Sequence, residues 1–244
     1  VANGCWFAPL VGAFVVFWVE RYCRLYEGEW AGEPMILRGC ARCDYGLPTI
    51  EEWTKETQAI ALERARRYSE CVRAGHAIDW QYDVTMRLFG WQRQSKRWER
   101  AVRRFTKASI WTPKKCKKSP TLAAWGLYLT CGDDEKGQKV YFGAKDGTQS
   151  REIAGKHAVE MVYASPELSA ECTINKNLMQ ITHRRTRSLI KPISSSDSQT
   201  QKAKEGLNGS ILIDETHVVD RAFVNRVSRA GISRSEPLHI EVST

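Results

Sequence analysis

Residues 110–125 read IWTPKKCKKSPTLAAW. A strand-like run (Ala108 to Trp111), a short polar loop and a helical run (Thr121 to Thr130) make the strand–loop–helix context of a phosphate-binding loop. Measured against the pattern GxxxxGK(S/T), Thr112 to Ser119 (TPKKCKKS) supplies the closing pair, Lys118 and Ser119. Both glycines are replaced, by Thr112 and Lys117. Such a loop turns backbone N–H groups and a helix N-terminus toward phosphates, here from Lys115, Cys116, Lys117 and Lys118 into Ser119 and Pro120. Its lysine adds a charge and its hydroxyl binds Mg2+. A lysine at the second glycine position is costly where the backbone needs positive φ. Pro120 is tolerated in a first helical turn, although it biases Ser119 away from helical angles. Taken alone, the stretch is read more simply as a solvated lysine run or an import-like basic cluster.

A second stretch changes the balance. GSILIDETH (Gly209 to His217) has the form of a strand buried on both faces, Ile211, Leu212 and Ile213, ending in two acids. Asp214 then emerges at the strand's C-terminal end, where ligands of open α/β sheets sit, and can hold Mg2+. Glu215 beside it suits a general base that activates water. The alternative is a core strand that ends in two surface acids. The separation from the loop, about 95 residues, leaves room for intervening strands.

Composition is consistent with a nucleic-acid or nucleotide partner. The 244 residues carry 37 basic and 28 acidic side chains, a net charge of +9, which favours a polyanion. Eight cysteines are spread thinly rather than at the density of a disulfide scaffold, and are read as reduced thiols in the cytosol. The apolar run from Trp6 to Val19 is 14 residues long and contains Pro9 and Gly12. It is too short for a membrane span, which needs about 20 residues, and is read as a buried helix continuing into Glu20 and Arg21.

Three zones follow along the chain. Residues 1–38 form the apolar helix and a glycine-rich turn. Residues 39–104 are expected to be mostly helical, with Trp53, Ile60, Leu62, Ala65, Tyr68 and Val72 marking one helix face. Residues 105–244 alternate short apolar runs (ASIW, KVYFGA, ILID, LHIEV) with helical stretches, the pattern of a mainly parallel sheet flanked by helices. Between Cys172 and Ile193, CTIN, LMQIT and LIKPI add strands or a hairpin, and SSSDSQTQKAKEGLNGS, residues 194–210, is read as a polar, mobile loop.

The ordered set of motifs resembles the ATPase domain of the large terminase subunit of tailed bacteriophages, the motor that packages DNA into the capsid. FVVFWVERYCRLYEGEWAGEPMIL is similar to that family's opening helix and its GEWAG turn, and WQYDVTMRLFGW to its Trp-Gln adenine motif. RRFTKASIWTPKKCKKS is similar to the strand and PRKNGKS-type loop. AAWGLYLTCGD, ASPEL and EGLNGSILIDETH follow in the same order, and LHIEVST resembles the strand that leads into the coupling motif. The resemblance covers nearly the whole chain except about 39–78, which reads as an insertion.

It implies a P-loop NTPase of the additional-strand type, with an N-terminal helical region over 1–104 and the ATPase core over 105–244. It implies ATP and Mg2+ as ligands. Gln81 would read adenine, Lys118 and Ser119 would hold phosphate and Mg2+, and Asp214 and Glu215 would be the acidic pair. Ser243 and Thr244 would sense hydrolysis at the coupling position. Lys114 occupies the place where the family often has a loop arginine, and Arg151 or Lys204 from a neighbouring subunit could substitute for it. Implied partners are double-stranded DNA, the portal protein, the small terminase subunit and further copies in a pentameric ring, in the host cytoplasm and transiently at the procapsid portal vertex. The family's nuclease domain has no counterpart in the sequence, so DNA cleavage is not expected of it. Competing readings are another additional-strand motor of helicase type, which leaves GEWAG, Trp-Gln and ASPEL unexplained, and a non-catalytic basic nucleic-acid-binding protein.

Two features stand apart. CARC (Cys40 to Cys43) with Cys71 and His76 offers four ligands to a structural zinc, but a second close pair is missing and ordinary thiols near a turn are the favoured reading. RQSKRWERAVRRFTK is dense in cations with Trp98 among them, and is read as a solvated helix face or as a phosphate-contacting surface for DNA.

Overall fold

The computed structural model describes residues 5–24, 31, 33, 35, 37, 48, 50–133, 135–195 and 207–244. The chain divides into two compact units, Val1–Tyr22 with Pro34–Phe105, and Cys23–Glu33 with Thr106–Thr244. CARC, Lys204, most of the GEWAG turn and most of the 194–210 loop lie outside the described residues.

The first unit is built on α1 (Pro9–Tyr22), which starts with proline at a position where a missing N–H costs nothing and buries Val15 through Val19. No described helix is long and apolar enough to cross a membrane. α1 packs on α2 (Lys55–Ala74) and α3 (Trp80–Gly90). Thr54 caps α2 reciprocally: its hydroxyl accepts from the Thr57 N–H at 3.2 Å, and its own N–H donates to Thr57 Oγ1 at 2.7 Å. The buried face of α2 is Ala61, Ala65, Tyr68 and Cys71, whereas Leu62 and Val72, expected inside, are exposed. Tyr68 donates to Asp83 Oδ1 on α3 at 2.7 Å.

A larger departure concerns the basic stretch. It is not helical: β2 (Trp91–Ser95) and β3 (Arg100–Arg103) form an antiparallel hairpin, and β1 (Cys5–Phe7) pairs with β2 to complete a three-stranded sheet. Arginine carries no strong strand signal, and here pairing with a distant strand overrides local propensity. Arg103 is buried with its guanidinium 5.5 Å from the Phe89 ring centroid, while Arg93, Lys96, Arg97, Arg100 and Arg104 stay exposed.

The second unit is a seven-stranded sheet in the order β4-β10-β9-β5-β8-β7-β6. Its strands are β4 (Lys107–Trp111), β5 (Lys139–Ala144), β6 (Cys172–Asn175), β7 (Gln180–His183), β8 (Leu189–Ser194), β9 (Gly209–Ile213) and β10 (His239–Ser243). β4, β10, β9, β5 and β8 run parallel, and β7 and β6 add antiparallel at the far edge, as the short runs after Cys172 suggested. β10 lies between the loop strand β4 and the acidic strand β9, which makes this an additional-strand sheet. The helices are α4 (Lys118–Leu127), α5 (Gly147–Gln149), α6 (Lys156–Ala164), α7 (Pro166–Glu171) and α8 (Arg221–Val227). Two π-helical turns, Tyr128–Gly132 and Ser150–Gly155, extend α4 and join α5 to α6.

Two glycines set close approaches. A Cβ at Gly126 of α4 would lie 2.5 Å from Phe142 Cζ, so the helix rests directly on the β5 side of the sheet. A Cβ at Gly209 would fall 1.7 Å from the Lys139 carbonyl oxygen, so β9 can start beside β5 only with glycine there. Ile211, Leu212 and Ile213 are fully buried, as a strand covered on both faces requires. No disulfide joins the six described cysteines to one another.

Candidate active site

β4, β10 and β9 are parallel, with Trp111 opposite Ser243 and Glu241 opposite Ile213, so Thr112, Thr244 and Asp214 emerge from one edge of the sheet. The loop from Thr112 is anchored at once: the Thr112 N–H donates to the Ser243 carbonyl at 3.1 Å. Lys115 and Lys117 both take positive φ, 65° and 57°. Lys117, with ψ 34°, is a left-handed N-cap to α4 and caps it with no side-chain hydrogen bond. Its carbonyl accepts from the Thr121 N–H at 3.1 Å and from Thr121 Oγ1 at 2.8 Å. Left-handed residues alternating with right-handed ones curl successive N–H groups inward, the geometry of an anion nest. Lysine therefore does adopt the backbone that glycine normally supplies, at a cost of about 1–2 kcal/mol per residue. Lys117→Gly is expected to raise stability by up to about 1 kcal/mol, since relief of that strain is partly offset by the looser unfolded chain. Chemical denaturation measures it, and Lys117→Val, stiff at Cβ, should be destabilised.

Lys118 is only 6% exposed. Its Nζ donates to the Thr112 carbonyl at 3.4 Å and to Thr244 Oγ1, and lies 3.7 Å from Glu215 Oε1. Ser119 Oγ donates to Asp214 Oδ2, and Asp214 Oδ1 accepts from the Glu215 N–H at 2.9 Å. Pro120 is the third residue of α4 and disturbs none of these bonds.

Asp214 is 1% exposed. Burial pushes its carboxyl above the usual aspartate range and the Glu215 charge pushes the same way, against the Ser119 hydrogen bond and the Lys118 charge. A carboxyl with a raised folded-state pKa contributes stability below its unfolded pKa and loses it as pH rises through the folded value. Asp214→Asn removes the buried charge while its amide oxygen still accepts from the Glu215 N–H and its amide N–H turns the other bond round, donating to Ser119 Oγ. Its melting temperature, measured without nucleotide or Mg2+, is expected to exceed wild type by a few degrees at neutral pH, and the gap should close as pH falls toward the ordinary aspartate range. Parallel melting curves would count against a buried charge at Asp214.

Glu215 is left-handed, at φ 49° and ψ 50°, a strained conformation for a residue with a long side chain. That backbone aims its carboxylate back over the loop. Oε1 faces Lys118, while Oε2 accepts from Thr244 Oγ1 at 3.4 Å and lies 3.3 Å from His217 Nδ1. His217 Nδ1 also lies 2.9 Å from Ser243 Oγ. The residues brought together are thus Lys118, Ser119, Asp214, Glu215, Ser243 and Thr244. Thr112, noted in the sequence only as a replaced glycine, joins them, as does His217, to which the sequence alone assigned no role. His217 closes the GSILIDETH stretch, and a polar side chain two residues beyond a candidate base was the available signal.

The other expected residues are placed differently. Lys114 and Lys115 are exposed on the loop and Cys116 is half-buried between Lys115 and Lys117. Arg151 is exposed on the π-helical turn after β5, and no hydrogen bond or ion pair joins it to the loop among the described residues. Gln81 belongs to the first unit, half-buried in the first turn of α3, where its carbonyl accepts from Thr85 Oγ1 at 2.6 Å. Cys71 Sγ meets His76 Nδ1 at 2.9 Å, and among the described residues no group of three metal-ligating side chains gathers.

A parallel sheet with a strand inserted between its loop strand and its acidic strand, and a Lys-Ser pair facing an Asp-Glu pair, defines the fold of an additional-strand P-loop NTPase. No protein-family model and no curated protein matches the sequence. Solved structures do match. The large terminase of bacteriophage HK97 superimposes with a TM-score of 0.63 at 18% identity, over 96% of this chain and 37% of that one. A large terminase from a thermophilic bacteriophage matches with a TM-score of 0.47 at 12% identity, over 56% of this chain and 34% of that one. The large terminase ATPase domain of Thermus phage P74-26 matches with 0.44 at 14%, over 57% and 59%. The chain has the fold of the HK97 large terminase over the 37% of that protein that it spans.

Proposed function

We propose that this chain is the ATPase engine of a terminase motor that drives double-stranded DNA into a procapsid. The observation that carries the reading is the meeting of Lys118, Ser119, Asp214 and Glu215, from segments about 95 residues apart, at the C-terminal edge of the sheet.

The donor set suits a magnesium nucleotide. Ser119 and Asp214 present only oxygen to one point, the hard ligands that Mg2+ prefers, and Asp214 is a buried acid short of neutralising charge. A bound magnesium ion would offset charge on the β- and γ-phosphates. Lys118 would exchange Thr244 and Glu215 for phosphate oxygens. Glu215, released from Lys118, would orient a water and take its proton as that water attacks the γ-phosphate in line. Lys114, Arg151 or Lys204 would complete the charge around the transferred group, the last two from a neighbouring copy in a ring. Gln81 would read the adenine edge. Ser243 and Thr244, already bonded to the loop and to the acidic turn, would pass the state of the phosphate to β10.

On this reading the partners are duplex DNA, the portal, the small terminase subunit and further copies of the chain, pentameric at the portal vertex of a procapsid in the host cytoplasm. The exposed cations of the β2–β3 hairpin supply sequence-independent phosphate contacts. Steady-state ATP hydrolysis with and without duplex DNA tests the proposal. Hydrolysis stimulated by DNA is expected, and an assembled ring that neither binds nor hydrolyses ATP would overturn it.

A further inference from the structure

We propose that His217 is a positioning residue that clamps one oxygen of Glu215 to the end of β10, leaving the other free to take a proton. The inference rests on the ATPase reading above. His217 stands in the 3-10 turn Thr216–Val218, immediately after β9 and its acidic pair. Its side chain is 42% exposed, so it is not there to fill a core. What it does contact is specific. Nδ1 is 2.9 Å from Ser243 Oγ and 3.3 Å from Glu215 Oε2. An ionised carboxylate only accepts, so the approach to Glu215 is favourable with a proton on Nδ1, whose N–H points between Ser243 Oγ and Glu215 Oε2.

The two oxygens of Glu215 then have different partners. Oε1 faces Lys118 at 3.7 Å, and Oε2 faces His217 and Thr244. When a phosphate draws Lys118 and its Thr244 contact away, Oε1 loses its partner while Oε2 stays held by the imidazole. Glu215 needs such a hold, because its left-handed backbone does not by itself fix the carboxylate at the end of a flexible side chain. The other end of the clamp is firm. Ser243 is 2% exposed, its carbonyl accepts from the Thr112 N–H at 3.1 Å, and Thr216 Oγ1 donates to the Val242 carbonyl at 3.4 Å. His217 therefore links the proton-accepting group to the same β10 end that anchors the phosphate loop.

The test has two arms on the full chain. In the first, His217→Ala is expected to lower kcat by about 10–100-fold while nucleotide Kd changes by less than about twofold, because only alignment of the base is lost. His217→Asn, whose amide can place an N–H near the Nδ1 position, should recover most of that loss. In a Glu215→Gln background, His217→Ala should have no further effect. The second arm needs no catalysis: melting temperatures of nucleotide-free wild type, His217→Ala, Ser243→Ala and the double variant. The double shift should be smaller than the sum of the single shifts, as for residues in one hydrogen-bond network. Additive shifts, a kcat within about twofold of wild type in His217→Ala, or parallel losses of kcat and affinity would each overturn the clamp. Non-additive shifts in a wild type that hydrolyses no ATP would support the clamp and count against the ATPase reading.

Discussion

Glu215→Gln is expected to cut ATP turnover by about 10²–10⁴-fold, the range general-base catalysis contributes, while Mg2+–ATP still binds. The expectation follows from what glutamine keeps and loses. Its amide oxygen can accept from Thr244 as the carboxylate does and lie beside His217 Nδ1, so the loop and the β10 end stay linked. The residue's backbone need not change, because glutamine suffers the same left-handed strain as glutamate. Only the ability to take a proton from water disappears, with a weakened contact to Lys118. Single-turnover hydrolysis together with equilibrium nucleotide binding separates the two effects. Full hydrolysis by the variant would mean that another group is the base.

Lys118→Met should act on the earlier step. Methionine keeps the unbranched stem that fills the site, and removes the charge and its donors. Losing one partner of a buried charge pair costs about 2–5 kcal/mol, so nucleotide affinity should fall by roughly 30-fold to several thousandfold and hydrolysis should follow. The nucleotide-free variant loses the bonds to the Thr112 carbonyl and Thr244 and leaves Glu215 without its nearby cation. Some loss of melting temperature is therefore expected, and a cooperative melt distinguishes a folded, empty site from an unfolded protein. An affinity unchanged from wild type would remove Lys118 from the phosphate site.

The sheet of the second unit was legible because its strands are buried on both faces and read as continuous apolar runs, KVYFGA and ILI above all. The β2–β3 hairpin was not. Its first strand, β2, is held by pairing with β1 some 85 residues earlier, and arginines conceal any alternation. On α2 the true face is offset because alanine and cysteine, weak as hydrophobic signals, take the inner positions that Leu62 and Val72 leave. Lys118, Ser119, Asp214 and Glu215 could be picked out by residue type, since lysine-hydroxyl after a strand and two acids after another are chemically distinctive. Whether Lys117 would accept positive φ could not be read from its letter, because loop closure between β4 and α4 imposes that angle. His217 was hidden for a related reason: its partner Ser243 is 26 residues away and arrives only when β10 inserts between β4 and β9.

A phosphate loop without either glycine is expected still to cradle a nucleotide. Calorimetric titration of the folded wild-type chain with Mg2+–ATP tests it most directly. Saturable binding of one nucleotide per chain, lost in Lys118→Met, is the expected result; no binding by folded wild type would contradict a nucleotide site at this loop.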